Sequence, residues 1–285
     1  MDKRLQNFKI KPQYIVKINI FCGKIYKEVS YLKTKLIVNA DDFGYDNAVN
    51  YGIKDAHELG IITSTTIMPN MSGFDYAVEL AKTMPNLGIG VHLTLTKGQS
   101  LCKHKYITDE NGYFFSERLY VTNEIVLTYE VLGEIEQEWC EQIKRTKRAG
   151  IKITHIDSHN HMHIKLPELQ EIAIRLAKEN NCAMRTFEDL AIDVPHPKFF
   201  EQQFDSIYTL SKEKQLEYFR NLIKEIKKHE IVEIMTHPAY LSVAVYEGSS
   251  WNINRMYTNF FLIDSNFVDM VKNDNDIVLV TYADI

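Results

Sequence analysis

From Leu36 onward, short apolar runs alternate with amphipathic helical stretches, and several of the runs end in Asp or His. Strand-like runs fall at 36–39, 62–70, 87–96, the start of 152–163, 182–187, 230–238 and 277–282. Helical patterns fall near 46–59, 73–83, 124–149, 167–180, 211–229 and 264–273. Such alternation implies a mostly parallel sheet. Polar groups at the C-terminal ends of strands suit a (β/α) barrel, whose active site lies at that face. The expected fold class is therefore α/β, a distorted or incomplete TIM-type (β/α) barrel. An open doubly wound sheet is the alternative. DDFG follows the first strand where GxGxxG would mark a dinucleotide site, so that fingerprint is missing.

One catalytic domain is expected over residues 35–285. Residues 1–34 are rich in Lys and Arg and form an extension, in which YIVKINIF (14–21) reads either as an extra strand or as a loosely packed arm. The stretch 97–123, with the turn signal DENG at 109–112, reads as a long excursion from the core and a lid over the mouth. Segment 188–210, with Pro195 and Pro197, is ambiguous.

The first strand ends in Asp41 and Asp42. Two carboxylates at the mouth of an apolar strand are expensive to bury unless a metal, a cation or solvent pairs them. Successive strand residues point to opposite faces, so the two should not play the same part. Either Asp46 or Asn47 caps the next helix.

HIDSHNHMH places His155, Asp157, His159, His161 and His163 at alternating positions, all facing one way in a strand. Their apolar flanks speak against a surface histidine tract and for metal ligation by at least one of them. His92, in GVHLTLT, would alone read as a satisfied core histidine; beside Asp42 and the tract it becomes a second ligand candidate. His237, in IMTHPAY, stands at a strand end stopped by Pro238, where a pKa near 6.5 suits proton transfer.

The formal charge of −5 argues against a general nucleic-acid binder. Cys22, Cys102, Cys140 and Cys182 form no CxxC pair, so a disulfide framework is not expected and a reducing compartment fits. No stretch has the roughly 20 apolar residues of a membrane span, and no secretory signal is evident. A cytoplasmic location is expected, without nucleic acid or membrane partners.

The strings LIVNADDFG, GIITSTTIM, GVHLTLT, THIDSHNHMH, MRTF and IMTHPAY, in that order, resemble the YdjC/ChbG-like family of carbohydrate deacetylases over about residues 36–285. The resemblance implies a distorted TIM-type barrel that removes acetyl groups from N-acetylglucosamine units of chitobiose and chito-oligosaccharides, in some cases phosphorylated. It implies one divalent ion, magnesium or zinc, on Asp42, His92 and His159. Asp41 resembles the general base and His237 the general acid. Asn160 stands where the family often has histidine; in a strand it would point away from His159 and spare the ligand set. NINRMYTNFF (252–261) is less acidic than the family pattern, which bears on substrate contacts or on an interface.

The substrate expected is an acetylated amino sugar, and a homodimer is compatible by analogy. Arg185 either orients Asp41, holds an anionic substrate group, or makes a plain salt bridge such as one to Glu188. Phe43, Tyr113, Phe114 and Trp251 are candidate sugar-stacking surfaces, each also explicable as core or surface packing. Three other readings compete: a metal-dependent sugar isomerase or epimerase, a non-catalytic carbohydrate-binding protein, and a metal-stabilised structural module.

Overall fold

The computed structural model describes residues 33–285 in full and the backbone of residues 14–21 and 24–31. Strands β1 (Tyr14–Phe21) and β2 (Lys24–Tyr31) pair antiparallel, so YIVKINIF is one arm of a hairpin. Then follow β3 (Thr34–Phe43), α1 (Asn47–Glu58), β4 (Ser64–Ile67), α2 (Phe74–Ala81) and β5 (Gly88–Leu93). After the excursion, which contains α3 (Glu117–Val121), come α4 (Tyr129–Arg148), β6 (Ile153–Ser158), α5 (Met162–Lys165) and α6 (Pro167–Glu179). The last part holds β7 (Ala183–Met184), β8 (Phe199–Glu201), α7 (Lys212–Ile226), β9 (Ile231–Thr236), α8 (Val243–Gly248), α9 (Ile253–Ile263), α10 (Asn266–Lys272) and β10 (Ile277–Leu279).

Strands β3 to β10 form one parallel sheet in the order β7-β6-β5-β4-β3-β9-β8, with β10 on β3. β10 pairs with Thr34–Leu36 and β4 takes over from Asn39, so the two share one edge of β3. The sheet curls into an open half-barrel, an incomplete TIM-like barrel. At the β7 edge the Met184 N–H donates to the carbonyl of Pro195, in the segment that leads to β8, at 3.0 Å.

Period-2 alternation sorts the side chains. On β3, Leu36, Val38 and Ala40 face α1, α7 and α9, while Ile37, Asn39 and Asp41 face inward. On β9, Val232 and Ile234 join the same outer core, and Glu233 faces inward. A second outer core forms where α4 and α6 cover β5 and β6, around the fully buried Trp139. The inside is not the usual packing of branched aliphatics. It holds Asn39, Thr66, His155, Asp157, Arg185, Glu233 and Tyr282, all buried.

Local signals explain the helix starts. Asp46 caps α1, its Oδ1 accepting from Val49 N–H at 2.9 Å, and Ser211 caps α7. α8 and α9 arise where no helix was expected. The excursion is strapped to α4 and reaches the cavity mouth through Lys97. Glu138 Oε1 and Oε2 accept from the N–H groups of Leu101 and Cys102 and from Gln142, and Glu134 accepts from those of Lys105 and Tyr106. Cys102, Cys140 and Cys182 are free thiols; Cys22 lies outside the described residues. Among the described residues no helix is long and apolar enough to cross a membrane.

Candidate active site

At the C-terminal ends of β3, β5, β6 and β9 opens a polar cavity of about 380 Å³. Asp41, Asp42, His92, His159, His161 and His237 line it, with Trp251 and Arg255 from the chain leading into and along α9.

Asp41 reaches this mouth by ordinary alternation. Asp42 should then turn outward, but the β3–β4 register shifts between Ala40 and Phe43 and Asp42 takes φ +72°. This left-handed conformation, costing on the order of 1–3 kcal/mol in a non-glycine residue, turns the second carboxylate into the same cavity. The two aspartates therefore share a face, against the strand expectation, and differ by their partners.

Asp42 Oδ1 is flanked at 3.3 Å by His92 Nε2 and at 3.3 Å by His159 Nδ1, yet it is buried without a hydrogen-bond partner. Such an oxygen costs about 1–3 kcal/mol unless something takes it. Two imidazoles and one carboxylate form a donor set suited to a divalent ion with positions left for water and substrate. The residues present thus fit the ion that the sequence resemblance implies. The other oxygen, Oδ2, accepts from Arg255 Nη2 at 2.5 Å. Burial opposes the charge of Asp42, but Arg255, with the His159 and His92 imidazoles alongside, holds its carboxyl well below the usual range.

His92 is oriented from behind. Its Nδ1 lies 2.6 Å from Asp157 Oδ1, and Thr66 donates to Asp157 Oδ2 at 3.2 Å. Burial works against its charge, yet Asp157 and Asp42 raise its pKa to about 10. Burial holds His159 below its ordinary value, although Asp42 opposes this.

Asp41 is gripped at both oxygens by Arg185, at 2.7 and 2.6 Å, and Asn39 donates to Oδ1 at 2.8 Å. The same guanidinium reaches Asp157 at 2.7 Å and Glu233 at 2.6 Å. Burial raises the pKa of Glu233 against the pull of Arg185, and Tyr282 donates to its other oxygen. His237 Nε2 stands 3.8 Å from Asp41 Oδ2. Its Nδ1 faces Asp205 Oδ2 at 2.7 Å, which leaves Nε2 as the atom presented to the cavity.

The histidine tract does not lie on one face. β6 ends at Ser158, and Asn160 and His161 both take left-handed φ, 55° and 54°. Only His155 and Asp157 lie within the strand itself, and His159 follows it into the cavity. His155 stacks on Tyr282 at 3.8 Å, His161 lines the cavity, and His163 is buried against Ser158 and the Arg185 carbonyl. Asn160 does not point away in a strand; it lines the cavity and donates to Thr96 at 3.1 Å.

Of the other anticipated residues, Arg185 is fully buried and spends its donors on Asp41, Asp157 and Glu233, so neither a substrate group nor Glu188 is its partner. Phe43 is fully buried in the outer core and offers no sugar surface. Phe114 is buried in the second core, and Tyr113 is exposed on the excursion away from the cavity. Trp251 does line the cavity, its ring 4.7 Å from His237 at 73°. Sequence reasoning missed Asp205, Glu233, Thr258 and Arg255. Alternation from Met235 and His237 could have found Glu233; the others carry no local signal.

Residues 35–267 match the family of YdjC-like proteins. The chain is 36% identical to a carbohydrate deacetylase of Brevibacillus brevis over 264 residues, covering 88% of this chain and 99% of that one. It is 34% identical to a carbohydrate deacetylase of Geobacillus stearothermophilus, covering 87% and 96%. Among solved structures it resembles an Enterococcus faecalis protein described as a candidate for cellobiose-phosphate cleavage. There the TM-score is 0.77 with 31% identity, covering 88% of this chain and 98% of that one.

Proposed function

The chain belongs to the family of YdjC-like proteins, and from that premise we propose that it removes the N-acetyl group from N-acetylglucosamine-containing sugars such as chitobiose or chito-oligosaccharides. It is a carbohydrate deacetylase that acts on acetamido sugars and carries a candidate metal site. The observation that carries the reading is the orphaned Asp42 Oδ1 between two imidazoles, 3.3 Å from each, with Asp41 and His237 facing the same cavity.

A divalent ion bound there, magnesium or zinc, would polarise the acetyl carbonyl and acidify a water. Asp41, fixed by Arg185 and Asn39, takes the proton of the attacking water. The oxygen adds to the acetyl carbon. His237, backed by Asp205, gives a proton from Nε2 to the nitrogen, the C–N bond breaks, and acetate and an amino sugar leave. In this reading Asp41 and His237 serve one reacting amide as base and acid, which simple sugar binding does not need.

Lys97 and Lys165 also line the cavity, Lys165 beside Glu117. Their ammonium groups favour a sugar with an anionic substituent, and the cellobiose-phosphate description of the Enterococcus faecalis relative points to the same class. A cytoplasmic location suits a phosphorylated sugar.

The test is acetate release from N-acetylglucosamine, chitobiose, longer oligomers and their 6-phosphates, each with magnesium, zinc or chelator. Metal-dependent acetate release is expected, with 6-phosphates preferred. Asp41→Asn and His237→Ala should keep the metal and lose about 10²–10⁴-fold in kcat. A metal-replete variant of either residue that turns over at the wild-type rate would reject the assignment.

A further inference from the structure

Helix α9 touches both halves of the site from one side. Arg255 Nη2 meets Asp42 Oδ2 at 2.5 Å, and its Nε donates to the Trp251 carbonyl at 2.7 Å. Three residues on, and so on the same helix face, Thr258 Oγ1 donates to Asp205 Oδ1 at 2.6 Å. Asp205 Oδ2 in turn holds His237 Nδ1 at 2.7 Å. The Arg255 carbonyl also accepts from Ala239 N–H at 3.3 Å, two residues beyond His237. Arg255 and Thr258 are both buried.

The proton donor and the metal-site carboxylate come from β9 and β3, more than 190 residues apart in sequence. Their relative position is referred to a third element, and a helix turn is stiff. Trp251 stands in the same frame, its carbonyl on Arg255 and its indole against His237.

We propose that Arg255 and Thr258 are the positioning pair of this site: α9 holds the Asp42 carboxylate and the His237 imidazole in one frame, and occupancy at Asp42 is felt at Trp251 through Arg255. The kinetic half of this rests on the deacetylase reading above; the coupling half does not. The less acidic stretch 252–261 thereby has a task inside the protein.

The chain has two tryptophans, and the other, Trp139, is fully buried in the second core. Zinc added to metal-free protein should change the tryptophan emission, and Trp251→Phe should abolish that change. In Arg255→Met one equivalent of zinc should still bind, measured by competition with a chromophoric chelator, while the emission change is lost. Persistence of the change in Arg255→Met, no change in the wild type, or loss of zinc binding in Arg255→Met would each overturn the coupling.

For Thr258→Val, kcat should fall about tenfold or more with KM nearly unchanged, and Thr258→Ser should restore it. Wild-type kcat in Thr258→Val, or no rescue by serine, would overturn the positioning role. A wild-type protein that releases no acetate would reject the deacetylase reading alone, since the zinc titration needs no turnover.

Discussion

Replacing Arg185 by methionine should uncover the charge on which the interior is built. The guanidinium is fully buried and makes ion pairs with three carboxylates, Asp41, Asp157 and Glu233, at 2.6–2.7 Å. Removing one partner of a buried pair typically costs about 3–5 kcal/mol. A second route gives a similar figure. A stranded carboxyl can escape by taking a proton, and from an ordinary value near 3.9 that costs about 4 kcal/mol at pH 7. For a chain of this size about 4 kcal/mol corresponds to a fall in Tm of roughly 8–16 °C. The variant's folded state then binds one more proton than its unfolded state. By linkage its deficit must shrink as pH falls, to about 1.5 kcal/mol at pH 5. Urea unfolding of wild type and Arg185→Met at pH 7 and pH 5 measures this. A deficit below about 1 kcal/mol at pH 7, or one equal at both pH values, would refute the electrostatic account; simple loss of packing is independent of pH.

Two further outcomes are expected. Burial lowers the pKa of His155 to about 3 and of His163 to about 4. Below pH 6.5 the unfolded chain therefore binds more protons, and stability falls as pH drops; at pH 4.5 the two together should remove about 5 kcal/mol. A urea midpoint at pH 4.5 equal to that at pH 7 would contradict this. In Gly52→Ala the new Cβ would stand 2.5 Å from the Ala239 backbone. Such overpacking costs about 1–3 kcal/mol and pushes the loop that carries His237, so Tm and acetate release should both fall; an unchanged Tm would show that the loop yields freely.

Alternation was legible wherever the chain is a regular strand. Asp41, His92 and His237 stand at strand ends where the periodic reading put them, and the parallel α/β sheet follows from the same pattern. The reading failed where the backbone leaves β geometry. Asp42 at φ +72° and Asn160 and His161 at φ 55° and 54° break the period that the sequence pattern assumes. Asp and Asn tolerate this conformation better than most residues, but nothing in the sequence says at which of them it occurs. Phe43 and Phe114 were open to misreading because an aromatic looks the same whether it packs a core or faces a sugar. Arg255 and Asp205 escaped because their partners lie 213 and 32 residues away, and such pairings exist only after folding. Asp205 also sits in the stretch whose prolines blurred every periodicity.

The barrel wall is continuous except between its end strands β7 and β8, where the amide of Met184 meets Pro195 of the segment that joins them. Mechanically such a wall is a clip and not a hoop: hoop stress cannot build up in it, and opening is resisted only at the gap. Arg185 follows directly on β7, at one lip. Its carboxylate partners Asp41 and Glu233 sit on β3 and β9, on the far half of the sheet. The ion cluster therefore does across the gap what a ladder of amides does elsewhere in the wall. The clasp of the clip and the grip on Asp41 are one side chain, so a load that spreads the lips loosens the aspartate at the same moment.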